Sequence, residues 1–232
     1  MPANPGFQLS LDVKGRSCVV LGGDDEAADK VLRLLDAGAK VTVVNPTLNE
    51  TLRKLTAAGK ILHRVRLFRS TDAQGVTLVI NTLRSDPDFS RSLYDLAVKE
   101  RFLLCTVDQP QFSTAMLPAV VTRGHLRVAI STSGVAPALA SRLRQDLEPL
   151  FDEEFQAFLD WLATIRDETK EAEPDAEQRR AKLREAIEGF KLSGTINYPA
   201  WREAQARQEA AESSKEAAAV EKAGEEKKKW SF

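Results

Sequence analysis

From Arg16 to Val107, short apolar and β-branched runs alternate with segments of helical period, the pattern of a parallel sheet wrapped by helices. Cys18 to Leu21 is continuously apolar, as a central strand buried on both faces requires, and Gly22-Gly23 ends it. Ala27, Val31, Leu34, Leu35 and Gly38 then repeat at helical spacing, with Asp24, Asp25 and Glu26 suited to the positive end of that helix. Val41 to Val44 predicts a second strand stopped by Asn45-Pro46, and Leu48 to Ala58, closed by Gly59, a second helix. Ile61 to Val65 and Thr77 to Asn81 read as the next strands, Phe89 to Val98 as a helix and Phe102 to Val107 as a fifth strand. Right-handed crossovers make the expected class α/β, a doubly wound, Rossmann-like parallel sheet.

The rhythm changes after Pro110. Leu117 to Thr122 and Leu126 to Ser131 are β-rich runs joined by Arg123-Gly124, which suits a hairpin, and a domain boundary is expected near residue 112. A turn at Ser133-Gly134 leads into a helical pattern from Pro137 through Leu143 and Leu147, continued by the stripe Phe151, Phe155, Phe158, Leu159 and Leu162. That stripe needs a partner, either a second helix over Ala176 to Phe190 or another subunit. Beyond Trp201 the chain is Ala, Glu, Lys and Gln with almost no large apolar residue before Trp230, so a solvated helix or flexible tail is expected, a docking peptide ending Trp230-Ser231-Phe232 being the alternative. The expected division is 1–112, dinucleotide-binding; 113–150, a small α+β dimerisation and substrate region; 151–200, helical; and 201–232, a charged tail.

Length and charge narrow the function. With 232 residues, the chain makes one or two domains at roughly 150 residues each. Lys+Arg 33 against Asp+Glu 34 leaves a net charge of -1, so the overall balance supplies no footprint for nucleic acid or a membrane surface. No apolar run approaches the roughly 18 to 20 residues of a membrane span, and Met1 to Leu11 lacks a charged region followed by an apolar stretch, so a cytoplasmic address is expected. Cys18 and Cys105 both sit inside apolar runs and read as buried thiols. With only His63 and His125 besides, no cluster has zinc-ligand spacing and no resident metal is expected.

The candidate chemistry starts at Gly22 and Gly23. A glycine turn between the first strand and first helix is where an α/β sheet receives a pyrophosphate, on backbone N–H groups and the helix dipole. The usual third glycine is absent: the chain reads Leu21-Gly22-Gly23-Asp24-Asp25-Glu26-Ala27. Three carboxylates beside a diphosphate repel it unless they point away or cap the helix, so Asp24→Gly is expected to tighten binding if Asp24 faces the pyrophosphate. At the end of the second strand, where Asp or Glu favours NAD, stands Asn45, followed by Pro46. An amide bonds ribose hydroxyls without repelling a 2′-phosphate, and leaves NAD and NADP both open.

At this point the chain resembles the precorrin-2 dehydrogenases, which include the N-terminal module of siroheme synthases, over roughly residues 7 to 165. The resemblance is carried by Phe7 to Leu11 leading into Val13-Lys14-Gly15-Arg16, by Val19 to Lys30, Leu34 to Val44, Val107-Asp108-Gln109-Pro110 and Leu117-Pro118-Ala119-Val120. Its most specific stretch is Leu126 to Arg144. The resemblance implies NAD-dependent oxidation of precorrin-2 to sirohydrochlorin in sirohaem synthesis, by an enzyme commonly homodimeric through the segment after the nucleotide domain. Some members also insert Fe2+, a ferrochelatase (lyase) step. The family's functional aspartate falls on Asp108. Departures are Asp24 for the third glycine, Cys105 for an Asn, Ser131-Thr132-Ser133-Gly134 for a turn with paired glycines, and Asn81-Thr82-Leu83-Arg84 where the family often has Ala-Thr-Asp-Asp.

Such a reaction needs a nicotinamide against the macrocycle and a base nearby, and Asp108 is the candidate base. Asn81 and Thr82 join Gly22, Gly23, Asp24, Asp25, Asn45 and Pro46 as candidate cofactor contacts. The substrate's carboxylates call for Arg clamps, with Arg84, Arg123 and Arg142 as candidates, and for donors such as Ser131, Thr132, Ser133 and Gly134. For iron insertion, Asp108 or His125 would be the groups to test. His63, within a strand-like run, reads as packed or surface-exposed rather than catalytic. The rival readings are a sirohydrochlorin chelatase with a weak dehydrogenase site and a non-catalytic dimeric nucleotide- or tetrapyrrole-binding module.

Overall fold

The computed structural model describes residues 6–84 and 86–199, so the expectations for 201–232 lie outside the described residues. Among the described residues the elements run in the order β1 (Ser17–Leu21), α1 (Asp25–Asp36), β2 (Lys40–Val44), α2 (Glu50–Ala57), β3 (Leu62–Arg64), β4 (Leu78–Asn81), α3 (Pro87–Glu100), β5 (Leu103–Thr106), β6 (Ala119–Arg123), β7 (Leu126–Ile130), α4 (Pro137–Leu147), α5 (Glu153–Ala172) and α6 (Ala176–Glu185). The first five strands form one parallel sheet in the order β3-β2-β1-β4-β5. The chain winds outward from β1 in both directions, so the direction reverses between β1 and β4. In a doubly wound sheet that reversal opens a crevice outside the carboxyl ends of the strands.

Two apolar layers hold the sheet. Val20, Val41 and Val43 face Val31, Leu34 and Leu52 of α1 and α2, while Val19, Leu21, Val44, Val79 and Leu104 face Leu93 and Ala97 of α3. The central strands are apolar on both faces because both are covered. Cys18 and Cys105 are buried within this core, and burial pushes both thiols up.

A buried ionic cluster anchors the sheet edge. Asp72 has its side chain fully buried between β3 and β4, where Arg66 grips both carboxylate oxygens at 2.7 Å, Arg64 adds a third contact, and Arg69 N donates at 2.8 Å. The Arg66 hydrogen bonds, helped by Arg64, hold the Asp72 carboxyl well below the usual carboxylate range against the opposing effect of burial. A depressed carboxylate contributes stability that is fully present above its unfolded value, near pH 4, and is lost as pH falls through the folded one. Asp72→Asn is expected to cost about 1–3 kcal/mol at neutral pH. Urea midpoints should show that deficit shrinking toward pH 2; a deficit constant with pH would mean that charge is not its source.

After residue 106 the fold becomes local. β6 and β7 pair antiparallel, with Gly124 and His125 in their turn. The helical pattern predicted to run from Pro137 on through the aromatic stripe is broken: α4 stops at Leu147, a short 3₁₀ turn covers Glu148–Leu150, and α5 starts at Glu153. Pro149 lacks the N–H that an α-helix needs at that place. The start of the stripe meets the hairpin, a partner that periodicity does not reveal. Phe151 is buried, its carbonyl accepts from Arg123 Nε, and its ring lies 4.9 Å from that of Phe155.

Residues 6–164 form one compact unit, and the described residues from Ile165 belong to a second. In the second, Asp175 caps α6 by accepting from Glu177 N and Gln178 N, and Lys182 pairs with Glu173 at 3.5 Å. The helix predicted to reach Phe190 ends at Glu185. Among the described residues no helix is long and apolar enough to cross a membrane.

Candidate active site at the carboxyl edge of the sheet

The glycine turn is fixed by close approach. Gly22 has φ +134°, and a Cβ there would sit 2.0 Å from Thr82 Oγ1; a Cβ on Gly23 would sit 2.0 Å from Thr47 O and 2.7 Å from Asn45 Nδ2. The backbone is thereby seated between the ends of β2 and β4, at the mouth of the crevice. Asn49 N donates to Gly23 O at 2.7 Å and ties the β2–α2 loop to the turn.

Asp24, where the motif expects a third glycine, has φ -94°, a conformation open to any residue, and its Oδ1 accepts from Ala27 N at 3.0 Å as the N-cap of α1. The other two carboxylates also have partners. Asp25 Oδ1 accepts from Asn49 Nδ2 at 2.7 Å, and Glu26 pairs with Lys30 at 2.8 Å and Arg84 at 3.2 Å. Burial pushes the Lys30 ammonium down, but its hydrogen bonds to Asp29 and Glu26 more than compensate and hold it above the ordinary lysine value. Asp24→Gly is expected to lower stability by only a few tenths of a kcal/mol, roughly the difference between Asp and Gly caps. It should raise dinucleotide affinity severalfold by removing a negative charge from the helix end. Calorimetry reads both, and an unchanged affinity would show the capped carboxylate to be silent toward the ligand.

Asn81 and Thr82, expected at the cofactor, are buried and build the floor. Thr82 Oγ1 donates to Leu21 O at 2.9 Å, and Asn81 Oδ1 accepts from Leu83 N at 3.1 Å. Pro46 lies exposed in the turn after β2. Asn45 spends its amide on Thr47 O at 2.7 Å.

Asp108 follows β5 with φ +61°, a left-handed backbone that Asp tolerates better than most residues. Its side chain is 68% exposed, and Oδ2 lies 3.2 Å from Arg84 Nε. Arg84 thus bridges Glu26 at the start of α1 and Asp108 at the end of β5, completing the series Lys30, Glu26, Arg84, Asp108 across the crevice.

The loop that carries Asp108 is clasped from both ends. Thr106 N donates to Ser113 Oγ at 2.9 Å, Thr106 Oγ1 to Phe112 O at 2.9 Å and Ser113 Oγ to Gln109 O at 3.2 Å. The Arg91 guanidinium covers the Phe112 ring at 5.3 Å. Sequence reasoning missed this clasp, because no motif marks a Thr or Ser that bonds within its own loop, and it missed the parts of Lys30 and Asn49, whose partners are set by the fold.

The candidate substrate contacts divide. Only Arg84 joins the sheet edge. Arg123 is committed to Phe151 O, and Arg142 pairs with Asp146 at 3.0 Å along α4. Ser131 to Gly134 form the turn between β7 and α4, where Ser131 Oγ accepts from Ser133 N at 3.1 Å and Thr132 Oγ1 from Ala136 N at 3.2 Å. His63 Nε2 donates to Asn45 O at 2.8 Å, and among the described residues no group of three or more His, Cys, Asp or Glu is placed to hold a metal. The Gly22-Gly23 turn leads into the N-terminus of a capped helix whose carboxylates are individually partnered, the place in an α/β sheet that suits a dinucleotide diphosphate.

Two family models match in tandem, one described as "Putative NAD(P)-binding" over residues 9–119 and one as "Sirohaem biosynthesis protein central" over residues 123–149. Siroheme synthase of Methylobacillus flagellatus is 34% identical over 181 residues, covering 78% of this chain and 38% of that protein. Siroheme synthase of Nitrosococcus oceani is 32% identical with the same coverage. The chain therefore spans under two fifths of the length of these curated relatives. Among solved structures, "SirC, precorrin-2 dehydrogenase" superposes with a TM-score of 0.64 at 24% identity, over 79% of this chain and 90% of that one, a likeness of fold. With both models in their order along one doubly wound sheet and hairpin, the chain carries an NAD(P)-binding region followed by a sirohaem-biosynthesis central region and is similar over most of its length to part of the siroheme synthases.

Proposed function

We propose that this protein oxidises precorrin-2 to sirohydrochlorin with NAD, as a cytoplasmic homodimer serving sirohaem synthesis. The observation that carries this reading is Asp108, an exposed carboxylate at the end of β5 on a clasped loop, set by Arg84 against the same crevice edge as the Gly22-Gly23 turn. Residues 1–112 would hold the cofactor and residues 113–150 would contribute to the substrate side and the dimer.

NAD, when bound, supplies the acceptor for the hydride. The chain's own residues do the rest. Gly22 and Gly23 give the diphosphate backbone access, and Asn45 stands by the adenosine ribose. Asp108 takes the proton that leaves with the hydride, at its exposed carboxylate. Arg84 orients that carboxylate and offers its guanidinium to a substrate carboxylate. Ser131 and Thr132 offer hydroxyls from the turn before α4.

The test is an anaerobic assay of the purified chain with precorrin-2, with and without NAD, following nicotinamide reduction and sirohydrochlorin formation. NAD-dependent turnover is expected; its absence with tetrapyrrole still bound would transfer the protein to the chelatase or carrier readings. Repeating the assay on sirohydrochlorin with Fe2+ added as substrate reads the iron-insertion step separately.

A further inference from the structure

Arg84 stands on the segment between β4 and α3, and its side chain is 58% exposed, a setting in which a long side chain is ordinarily free to move. Here it is held from two sides. Nε lies 3.2 Å from Asp108 Oδ2, and Nη2 donates to Glu26 Oε2 at 3.2 Å. Those two nitrogens form one edge of the guanidinium, a planar fork that fits both oxygens of a single carboxylate. In this chain the fork is split between two carboxylates, one prong to each.

Glu26 is the fixed member of the pair. It sits in the first turn of α1, and its other oxygen meets Lys30 at 2.8 Å one helical turn on, where Lys30 is itself held by Asp29 at 2.8 Å. Asp108 is the loose member. Its carboxylate is 68% exposed, and among the described residues only Arg84 pairs with it, at Oδ2, which leaves Oδ1 open. An undivided fork acts differently elsewhere in the chain: Arg66 puts two nitrogens on Asp72 at 2.7 Å, and chiefly through those bonds that carboxyl is held well below the usual carboxylate range.

We infer that Glu26 is a positioning residue for the reaction: it keeps Nη2 of Arg84 away from Asp108, so that the base is aligned by one prong and keeps an oxygen open to the departing proton. This rests on the dehydrogenase reading proposed above and adds to it a residue that acts through Arg84. Without the Glu26 charge, Arg84 closes both prongs on Asp108, and the carboxylate that should accept a proton is engaged at both oxygens.

The experiment compares the full chain with Glu26→Gln, Arg84→Gln and the double variant, by anaerobic steady-state rates with precorrin-2 and NAD, calorimetric NAD affinity and thermal melts. Glu26→Gln is expected to lower kcat about tenfold, a part of what a positioned general base contributes. NAD affinity should hold or rise, because a negative charge leaves the N-terminal end of α1. In the Arg84→Gln background, where no fork remains to close, the same substitution should change kcat by less than about twofold. Glu26→Asp, which keeps the charge on a shorter arm, should recover part of the loss. Independently of turnover, the melting-temperature coupling between Arg84→Gln and Asp108→Asn should be larger once Glu26→Gln is in place, since the undivided fork holds Asp108 more tightly. A parental kcat in Glu26→Gln, or an unchanged coupling, overturns the inference. So does an equal loss of kcat in both backgrounds, or a loss accompanied by weaker NAD binding, either of which makes Glu26 a support of the helix end. If the parent chain turns over no precorrin-2, the dehydrogenase reading itself falls and takes this inference with it.

Discussion

Asp108→Asn is expected to reduce turnover by about 10²–10⁴-fold, the usual contribution of a positioned general base, while leaving the fold and dinucleotide affinity close to those of the parent. The choice of Asn follows from the backbone. At φ +61° a residue without a short polar side chain pays for left-handed geometry, whereas Asn adopts it about as readily as Asp. Asp108→Ala would combine loss of the base with backbone strain of about 1 kcal/mol or more and blur the two. Asn also retains an oxygen for Arg84, so the loop stays clasped and the missing property is basicity alone. Anaerobic steady-state rates with a parallel thermal melt decide it, and an Asp108→Asn enzyme of parental rate would remove the aspartate from the chemistry.

Gly23→Ala carries the second large effect, and its cause is space. A Cβ at Gly23 would lie 2.0 Å from Thr47 O, a backbone atom of the β2–α2 loop, so that loop must move. The same loop donates Asn49 N to Gly23 O and Asn49 Nδ2 to Asp25, and Asn49 Oδ1 caps α2 by accepting from Leu52 N at 2.9 Å. Overpacking of this kind costs about 1–3 kcal/mol, and displacing an N-cap adds about 1. Dinucleotide affinity should fall with stability, since the displaced atoms line the crevice. Gly59→Ala provides the contrast: a Cβ there meets nothing within 4 Å, so its φ of +65° is the only source of cost. Denaturation midpoints and nucleotide titrations of the pair test this; equal effects would mean that the close approach at Gly23 is not what requires glycine.

The sheet was legible because its strands are buried on both faces, which leaves uninterrupted runs such as Cys18 to Leu21 and Leu78 to Ile80. The glycine turn was legible for the same local reason, as was the capping alternative for Asp24. The edge was not. Arg84 and Glu26 are 58 residues apart, and Arg64 and Arg66 find Asp72 only once β3 has taken its place, so no local pattern records either cluster. The break at Pro149 shows the opposite failure: the apolar stripe kept its spacing across a residue that cannot continue the helix, and hydrophobic period outweighed backbone chemistry.

The series Lys30, Glu26, Arg84, Asp108 also governs how a ligand arrives. Its signs alternate, but Lys30 also holds Asp29, and Asp24 and Asp25 stand at the start of the same helix, so carboxylates outnumber the two cations. From a distance this wall of the crevice is net negative and opposes the approach of a polyanionic macrocycle. Encounter at this wall should quicken as ionic strength rises, because salt screens that repulsion beyond roughly 8 Å. The bound complex adds a second cost, because the Arg84 guanidinium must leave its carboxylates before it can hold one of the macrocycle's.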